Sequence, residues 1–328
     1  MQLGGCEVSV KPAAAGNRRK LKFTTELTLL IAYVAMIIAF SILSPYFLSI
    51  RNFMNIGLSA SITGITATGM TLVLLMGGLD LSVGSIIALV GIIMAVLMKG
   101  GTSVPAVVLV GLVVGLISGL INGLFITKVK INPLITTLST MAIYRGITFV
   151  STDGLSVLIS NKSFSFFGRS FILGIPVAVI IMLILYVFFA YLLRYTKFGR
   201  KVYAVGGNPE ASRLSGINVD RIRLMAYTIS GLTAAVSGII LASQTGTGLP
   251  NAGTGMELNA IAAAILGGTS LAGGKGNIAG TLLGVLILST LSNGLTLLNV
   301  PSFYQMIAQG AVLLIAVTLD VIRGGGYK

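Results

Sequence analysis

Apolar residues in this chain neither alternate nor recur at intervals of three and four; they continue in long runs. Such runs occupy about 27–47, 56–76, 81–98, 104–126, 131–150, 176–193, 224–243, 258–274, 278–298 and 303–320, with short polar or glycine-rich connections between them. A helix needs about 20 apolar residues to cross the hydrocarbon of a bilayer, and only helices and closed barrels can satisfy their backbone there. The pattern predicts an all-α polytopic membrane protein of about ten transmembrane helices. Glycine and proline interrupt several runs, so a re-entrant helix in place of one full crossing is compatible with it.

Composition agrees and removes alternatives. Of 328 residues 55% are hydrophobic and only 9% charged, far below the roughly 25% of soluble domains. The net charge of +14 could point to nucleic acid. The 22 Lys and Arg, however, cluster between apolar runs, which is how membrane topology is written. With both termini in the cytoplasm, the outer loops hold only Arg51, Lys99, Lys162 and Arg169, and Arg145 falls inside a span. All other basic residues then lie inside, and no nucleic acid is expected as a partner. The run from Leu27 follows basic Lys11, Arg18, Arg19, Lys20 and Lys22 and is longer than a signal-peptide core, so it reads as a retained first helix. Cys6 stands alone and histidine is absent, so zinc, haem and disulfide chemistry drop out and no cofactor is expected. The organisation is a basic N-terminal segment (1–26), a membrane domain (27–322) containing a cytoplasmic loop (194–223), and a short tail (323–328).

The two halves carry an echo. An offset of 171 residues brings Ser118, Leu120, Asn122, Gly123 and Leu124 onto Ser289, Leu291, Asn293, Gly294 and Leu295, and Gly84 onto Gly255. Five helices per half would make the copies run in opposite directions, a 5+5 inverted repeat. Gly111, Gly115, Gly119 and Gly123 form one small-residue stripe at four-residue spacing, suited to close helix packing.

Three segments invite chemistry. Gly77-Gly78-Leu79-Asp80-Leu81-Ser82-Val83-Gly84-Ser85 breaks an apolar stretch and embeds a carboxylate, which must face an aqueous end or a protein cavity. Asp80 and Ser82 are candidates for gating or passage, and Asp80 equally for capping the following helix. In the cytoplasmic loop, Asn208, Pro209, Glu210 and Gly216 follow the order cap, preset first turn, acid, left-handed exit. They predict a helix of about two turns, with Ala211, Leu214 and Ser215 on a small apolar face. It is either a connector or a piece that presses into a partner's groove. Outside, residues 151–174 carry Lys162, Arg169 and the aromatics Phe164, Phe166, Phe167 and Phe171, which either dock a soluble protein or anchor at the interface. Leu271-Ala272-Gly273-Gly274-Lys275-Gly276 imitates a nucleotide loop, but Thr269 stands where the first glycine belongs and Gly276 follows the lysine. Embedded charges are too few for a proton relay.

Those segments, with Ala252-Gly253-Thr254-Gly255-Met256-Glu257-Leu258-Asn259-Ala260-Ile261 and Leu266-Gly267-Gly268-Thr269-Ser270, resemble the permease subunit of bacterial ATP-binding-cassette importers for ribose and related monosaccharides. The resemblance covers roughly 27–322. It implies the permease fold of that family and a multi-pass protein of the bacterial inner membrane. It implies four partners besides lipid: a second permease copy, most simply as a homodimer, a pair of ATPase subunits, and an extracytoplasmic sugar-binding protein. It also implies that Gly207, Asn208, Pro209, Glu210, Ala211, Ser212, Arg213, Leu214 and Gly216 couple to the ATPase, and that the permease itself is not an enzyme. Asp80, Ser82, Asn122 and Asn293 are pathway candidates, with helix-to-helix hydrogen bonding the competing role for the asparagines. Arg51, Lys162 and Arg169 are candidates for docking the binding protein. Ribose is the first expectation, with galactose, xylose, allose or a ribose-like signal molecule behind it. A stand-alone secondary carrier or channel for a small neutral solute is the competing reading.

Overall fold

The computed structural model describes residues 25–324; Cys6, Lys11, Arg18, Arg19, Lys20, Lys22 and Lys328 lie outside the described residues. In chain order the helices are α1 (Thr25–Leu43), α2 (Ile50–Leu75), α3 (Val83–Lys99), α4 (Val104–Leu124), α5 (Pro133–Val150), α6 (Phe166–Arg169), α7 (Val177–Tyr195), α8 (Lys197–Gly207), α9 (Pro209–Leu214), α10 (Val219–Thr245), α11 (Met256–Leu266), α12 (Ile278–Leu297) and α13 (Ser302–Gly324). A π-turn at Phe125–Val129 extends α4. Side chains of Ser49, Asn132, Thr196, Asn208, Asn218 and Asn277 accept first-turn amides of α2, α5, α8, α9, α10 and α12. Each side chain thus takes one of the amides that a helix start leaves without a partner.

Among the described residues five helices are long and apolar enough to cross a membrane: α2, α4 with its π-turn, α7, α10 and α12. Helices α3 and α11, of 17 and 11 residues, are shorter apolar pieces, and α5 carries Arg145. Large apolar side chains such as Ile42, Val187 and Phe303 are more than two-thirds exposed. Exposed apolar surface on this scale is what a lipid-facing protein presents.

The inverted repeat is written in the packing. The 171-residue offset carries α2 onto α10, α3 onto α11, α4 onto α12 and α5 onto α13. Contacts obey the same mapping: α4 packs on α10 as α12 packs on α2, α3 on α4 as α11 on α12, and α3 on α5 as α11 on α13. Helices α2 and α10 run antiparallel, with Thr66 beside Ser237 and Gly69 beside Ser230 and Thr233, so the two copies are inverted. The offset holds for four helices per half rather than five. Helix α1 joins α2 through the short segment 44–49, whereas α8 and α9 are inserted between α7 and α10, and that insertion destroys a common spacing.

The run at 258–274 is not a full crossing. Helix α11 has 11 residues, about 16 Å at 1.5 Å per residue. It ends at Gly267-Gly268, where Gly268 takes φ +90°. Residues 267–276 continue as irregular backbone, in part wedged against the end of α2 and α8. The glycine stripe of α4 does serve packing. A Cβ at Gly115 or Gly119 would collide with α10 backbone at Gly231 and Tyr227, so these two helices touch main chain to main chain.

Candidate functional site

Two backbone breaks meet in the bundle. The first, Met76–Ser82, separates α2 from α3. The second, Gly246–Gly255, separates α10 from α11 and begins with Thr247–Gly248 paired antiparallel to Val157–Leu158. It then descends along α3: Gly248 lies against Gly91 and Ile92, and Gly253 against Gly84 and Ile87. There is no room for a Cβ on Gly84, which abuts the Gly253 carbonyl and Glu257. The starts of α3 and α11 thus face each other within the bundle, as the offset from Gly84 to Gly255 requires.

Each start is occupied by the chain's own carboxylate. Asp80 is fully buried. Its Oδ1 accepts from the Ser82 amide at 3.0 Å and the Ser82 hydroxyl at 2.6 Å, and its Oδ2 accepts from the Ser230 hydroxyl at 2.7 Å. Asn122 Nδ2 donates to Ser82 Oγ at 2.7 Å, completing a chain across α4, α3 and α10. This embedded carboxylate therefore reaches no aqueous end; hydrogen bonds surround it. The Leu79 carbonyl is held by the hydroxyls of Tyr227 at 3.3 Å and Thr137 at 3.5 Å. At the second break Glu257 Oε1 accepts from the Gly255 amide at 3.1 Å. Arg145 on α5 donates through Nη1 to the carbonyls of Pro250 at 2.8 Å and Ala252 at 2.7 Å. The embedded cation thus fastens the second break to α5. Sequence reasoning missed Ser230; its spacing to Ser59, the same 171 residues, was the available signal.

Asp80, Ser82 and Asn122 come together, while Asn293 stands apart on α12 with its Oδ1 buried and unpartnered. Between α2, α10, α11, α12 and α13 lies a cavity of about 430 Å³ lined by polar side chains that include Asn55, Gln244, Asn259, Ser289 and Gln309; Asn293 does not line it.

At the end of the bundle where α2 stops, α8 and the loop after α11 are wedged together. The Gly274 amide donates to the Leu75 carbonyl at 2.8 Å, and Gly206 of α8 packs directly on that same carbonyl. Tyr203 donates to the Gly276 carbonyl at 2.8 Å, and burial pushes its phenol pKa up, so the donor proton is retained. Helix α9 follows, its Asn208 side chain accepting from the Ala211 amide at 2.9 Å and Gly216 leaving with φ +78°. Glu210 pairs with Arg213 at 2.7 Å, and Asp220 pairs with Lys130 at 2.7 Å. Ser212 is buried, whereas Leu214 is 90% exposed. Pro209 and Gly207 flank the cap.

At the opposite end, Arg51 opens α2, and Lys162 and Arg169 are exposed. Arg169 Nε donates to the Gln244 carbonyl at 2.9 Å. Phe164 is buried rather than displayed, and its carbonyl accepts from Ser243 at 2.6 Å. Among the described residues no group of three or more acidic or cysteine side chains is arranged to hold a metal.

Residues 52–317 match the family described as branched-chain amino acid transport system / permease component. The chain is 50% identical to the ribose import permease protein RbsC of Bacillus subtilis (strain 168), over 87% of this chain and 89% of the relative. It is 46% identical to the ribose import permease protein RbsC of Escherichia coli (strain K12), over 89% and 92%. It is 41% identical to the L-arabinose transport system permease protein AraH of the same strain, over 89% of each. No solved structure matches.

Proposed function

We propose that this chain, which belongs to the family of branched-chain amino acid transport system permease components, is the membrane-spanning permease of an ATP-binding-cassette importer for a neutral monosaccharide, ribose first. The relatives named for ribose and arabinose support the sugar. The family description allows an amino acid instead, and one observation favours the sugar. A zwitterion needs a counter-charge or a free helix start for its carboxylate. Here Asp80 and Glu257 already sit at the starts of α3 and α11, and Arg145 is committed to two carbonyls. A neutral polyol needs only amides and hydroxyls.

The permease breaks no covalent bond in this reading; a separate ATPase supplies the work. Helix α9 and its flanks, Gly207 to Gly216, receive the ATPase, and both termini lie on that cytoplasmic side, where Lys and Arg concentrate. Motion of α8 passes through Gly206 to the Leu75 carbonyl and Gly274, which adjoin the first break and the end of α11. A push there reaches the first break directly and the second only through the length of α11. Two copies form a homodimer, and a sugar-binding protein docks opposite, near Arg51, Lys162 and Arg169.

The test is uptake of labelled ribose into proteoliposomes. Uptake that requires the ATPase, ATP and the loaded binding protein is expected. Ion-driven uptake by this chain alone would make it a secondary carrier, and leucine uptake in preference to ribose would overturn the sugar.

A further inference from the structure

The two halves of the repeat differ at one corner. In the second half, the corner between α2, α10, α11, α12 and α13 holds the 430 Å³ cavity, within the range of small-molecule sites. Asn55, Gln244 and Asn259 line it. Their counterparts at the 171-residue offset are Ala226, Val73 and Ala88, each fully buried in solid packing. The same corner of the fold is filled in one half and hollow in the other.

Hydroxyls tell the same story. Ser230 and Ser118 in the filled corner are consumed, Ser230 by Asp80 at 2.7 Å and Ser118 by the Val114 carbonyl at 2.8 Å. Their counterparts Ser59 and Ser289 line the cavity, and among the described residues neither hydroxyl takes a hydrogen bond; nor do the side chains of Asn55, Gln244 and Asn259. Lipid would leave such groups unsatisfied at several kcal/mol each, on the order of a lost hydrogen bond in hydrocarbon. The cavity therefore faces water or a polar ligand. No charged side chain lines it. It also lies at the start of the half-length helix α11, where Met256 forms part of the wall, and irregular starts of this kind are where transporters hold solute.

We infer that this cavity is a binding site for a neutral polyhydroxylated ligand of monosaccharide size, held by the amides of Asn55, Gln244 and Asn259 and the hydroxyls of Ser59 and Ser289. The inference rests on the sugar-permease reading and adds a site within a single permease to it. Amides offer paired donors and acceptors at fixed spacing, as vicinal hydroxyls do, and the absence of charge excludes sugar phosphates and amino acids.

The test uses the complete importer in proteoliposomes, with ribose as the probe. Each polar residue is replaced by its counterpart from the filled half: Asn55→Ala, Gln244→Val and Asn259→Ala. Each change removes one or two hydrogen bonds, so uptake should fall by about tenfold while ATPase stimulation by the loaded binding protein persists. Separately, Ser289→Cys in a Cys6→Ser background should react with a water-soluble thiol reagent, and ribose should slow that reaction. If a replacement also abolishes ATPase stimulation, the Ser289→Cys result decides alone. Wild-type uptake of ribose with unchanged uptake in all three variants, or an unreactive Ser289→Cys, overturns the site. Protection by leucine but not ribose overturns the ligand class. Failure of the wild-type importer to move ribose would instead strike the proposed function.

Discussion

Thr66 Oγ1 donates to Ser237 Oγ at 2.8 Å, and these two residues are separated by the same 171 positions that relate the halves. A residue that touches its own repeat counterpart lies on the pseudo-twofold axis. Ser237 passes the bond on to the Ile62 carbonyl at 3.0 Å, so the axis is tied by a short hydroxyl relay between α2 and α10. Both side chains are fully buried.

Removing either hydroxyl should destabilise the bundle by about 1 kcal/mol, the net worth of one buried hydrogen bond. Thr66→Val and Ser237→Ala are the variants, measured by thermal unfolding in one detergent. Because the groups share one bond, the double variant should lose less than the sum of the singles. Strict additivity would mean that the two hydroxyls act independently.

Asp80 makes a sharper case. Asp80→Ala strips three donors of their acceptor inside the bundle, and a buried donor left unsatisfied costs roughly 1–3 kcal/mol. The variant should be recovered from membranes in much lower yield. Asp80→Asn keeps one oxygen and should fall between wild type and Ala. Equal yields for all three would show that the buried chain from Asn122 through Ser82 to Ser230 carries no structural weight.

Much of this architecture is legible in the chain because hydrocarbon leaves few choices: an apolar run of sufficient length becomes a helix, and all ten runs contain one. Hydropathy cannot register a break made by backbone conformation. The run at 258–274 stays apolar across Gly267 and Gly268, yet the helix stops there because Gly268 adopts a positive φ and the following glycines fit against α2 and α8. The Asn208 to Gly216 helix was legible because its signals are local caps. The cavity was not, since Asn55, Gln244 and Asn259 come from three distant elements and are unusual only against their counterparts in the other half. Asp80 stood out as an embedded acid, whereas its partner Ser230 looks like any serine in a membrane helix.

The stripe on α4 sets an upper limit on side-chain size. Gly119 meets the Tyr227 carbonyl and Gly231 of α10, where backbone cannot yield. Gly119→Val should part the two helices and destabilise by about 1–3 kcal/mol or more, as overpacking does. Gly146 on α5 has open space around it, so Gly146→Ala should not destabilise and should gain roughly 0.5–1 kcal/mol of helix propensity. Comparison of the two by thermal unfolding checks the difference, and similar losses in both would mean that close approach is not what α4 requires.

Helix α9 supplies the last prediction. Glu210 is 75% exposed in its pair with Arg213, and an exposed helical pair of this kind is worth up to about 0.5 kcal/mol. Glu210→Lys should therefore leave insertion and thermal stability nearly intact. Leu214 beside it projects an apolar side chain that nothing among the described residues covers. A charge reversed next to that knob opposes any partner seated there, and interfacial like-charge contacts cost on the order of several kcal/mol. Co-purification with the ATPase should drop by about tenfold or more, a factor that 1.4 kcal/mol already provides, and sugar-stimulated ATP hydrolysis should drop with it. Leu214→Ala should weaken the complex through lost apolar contact while leaving the charge pattern unchanged. Normal complex recovery and normal transport in both variants would remove α9 from the coupling role, because no other part of 194–223 exposes an apolar side chain as fully.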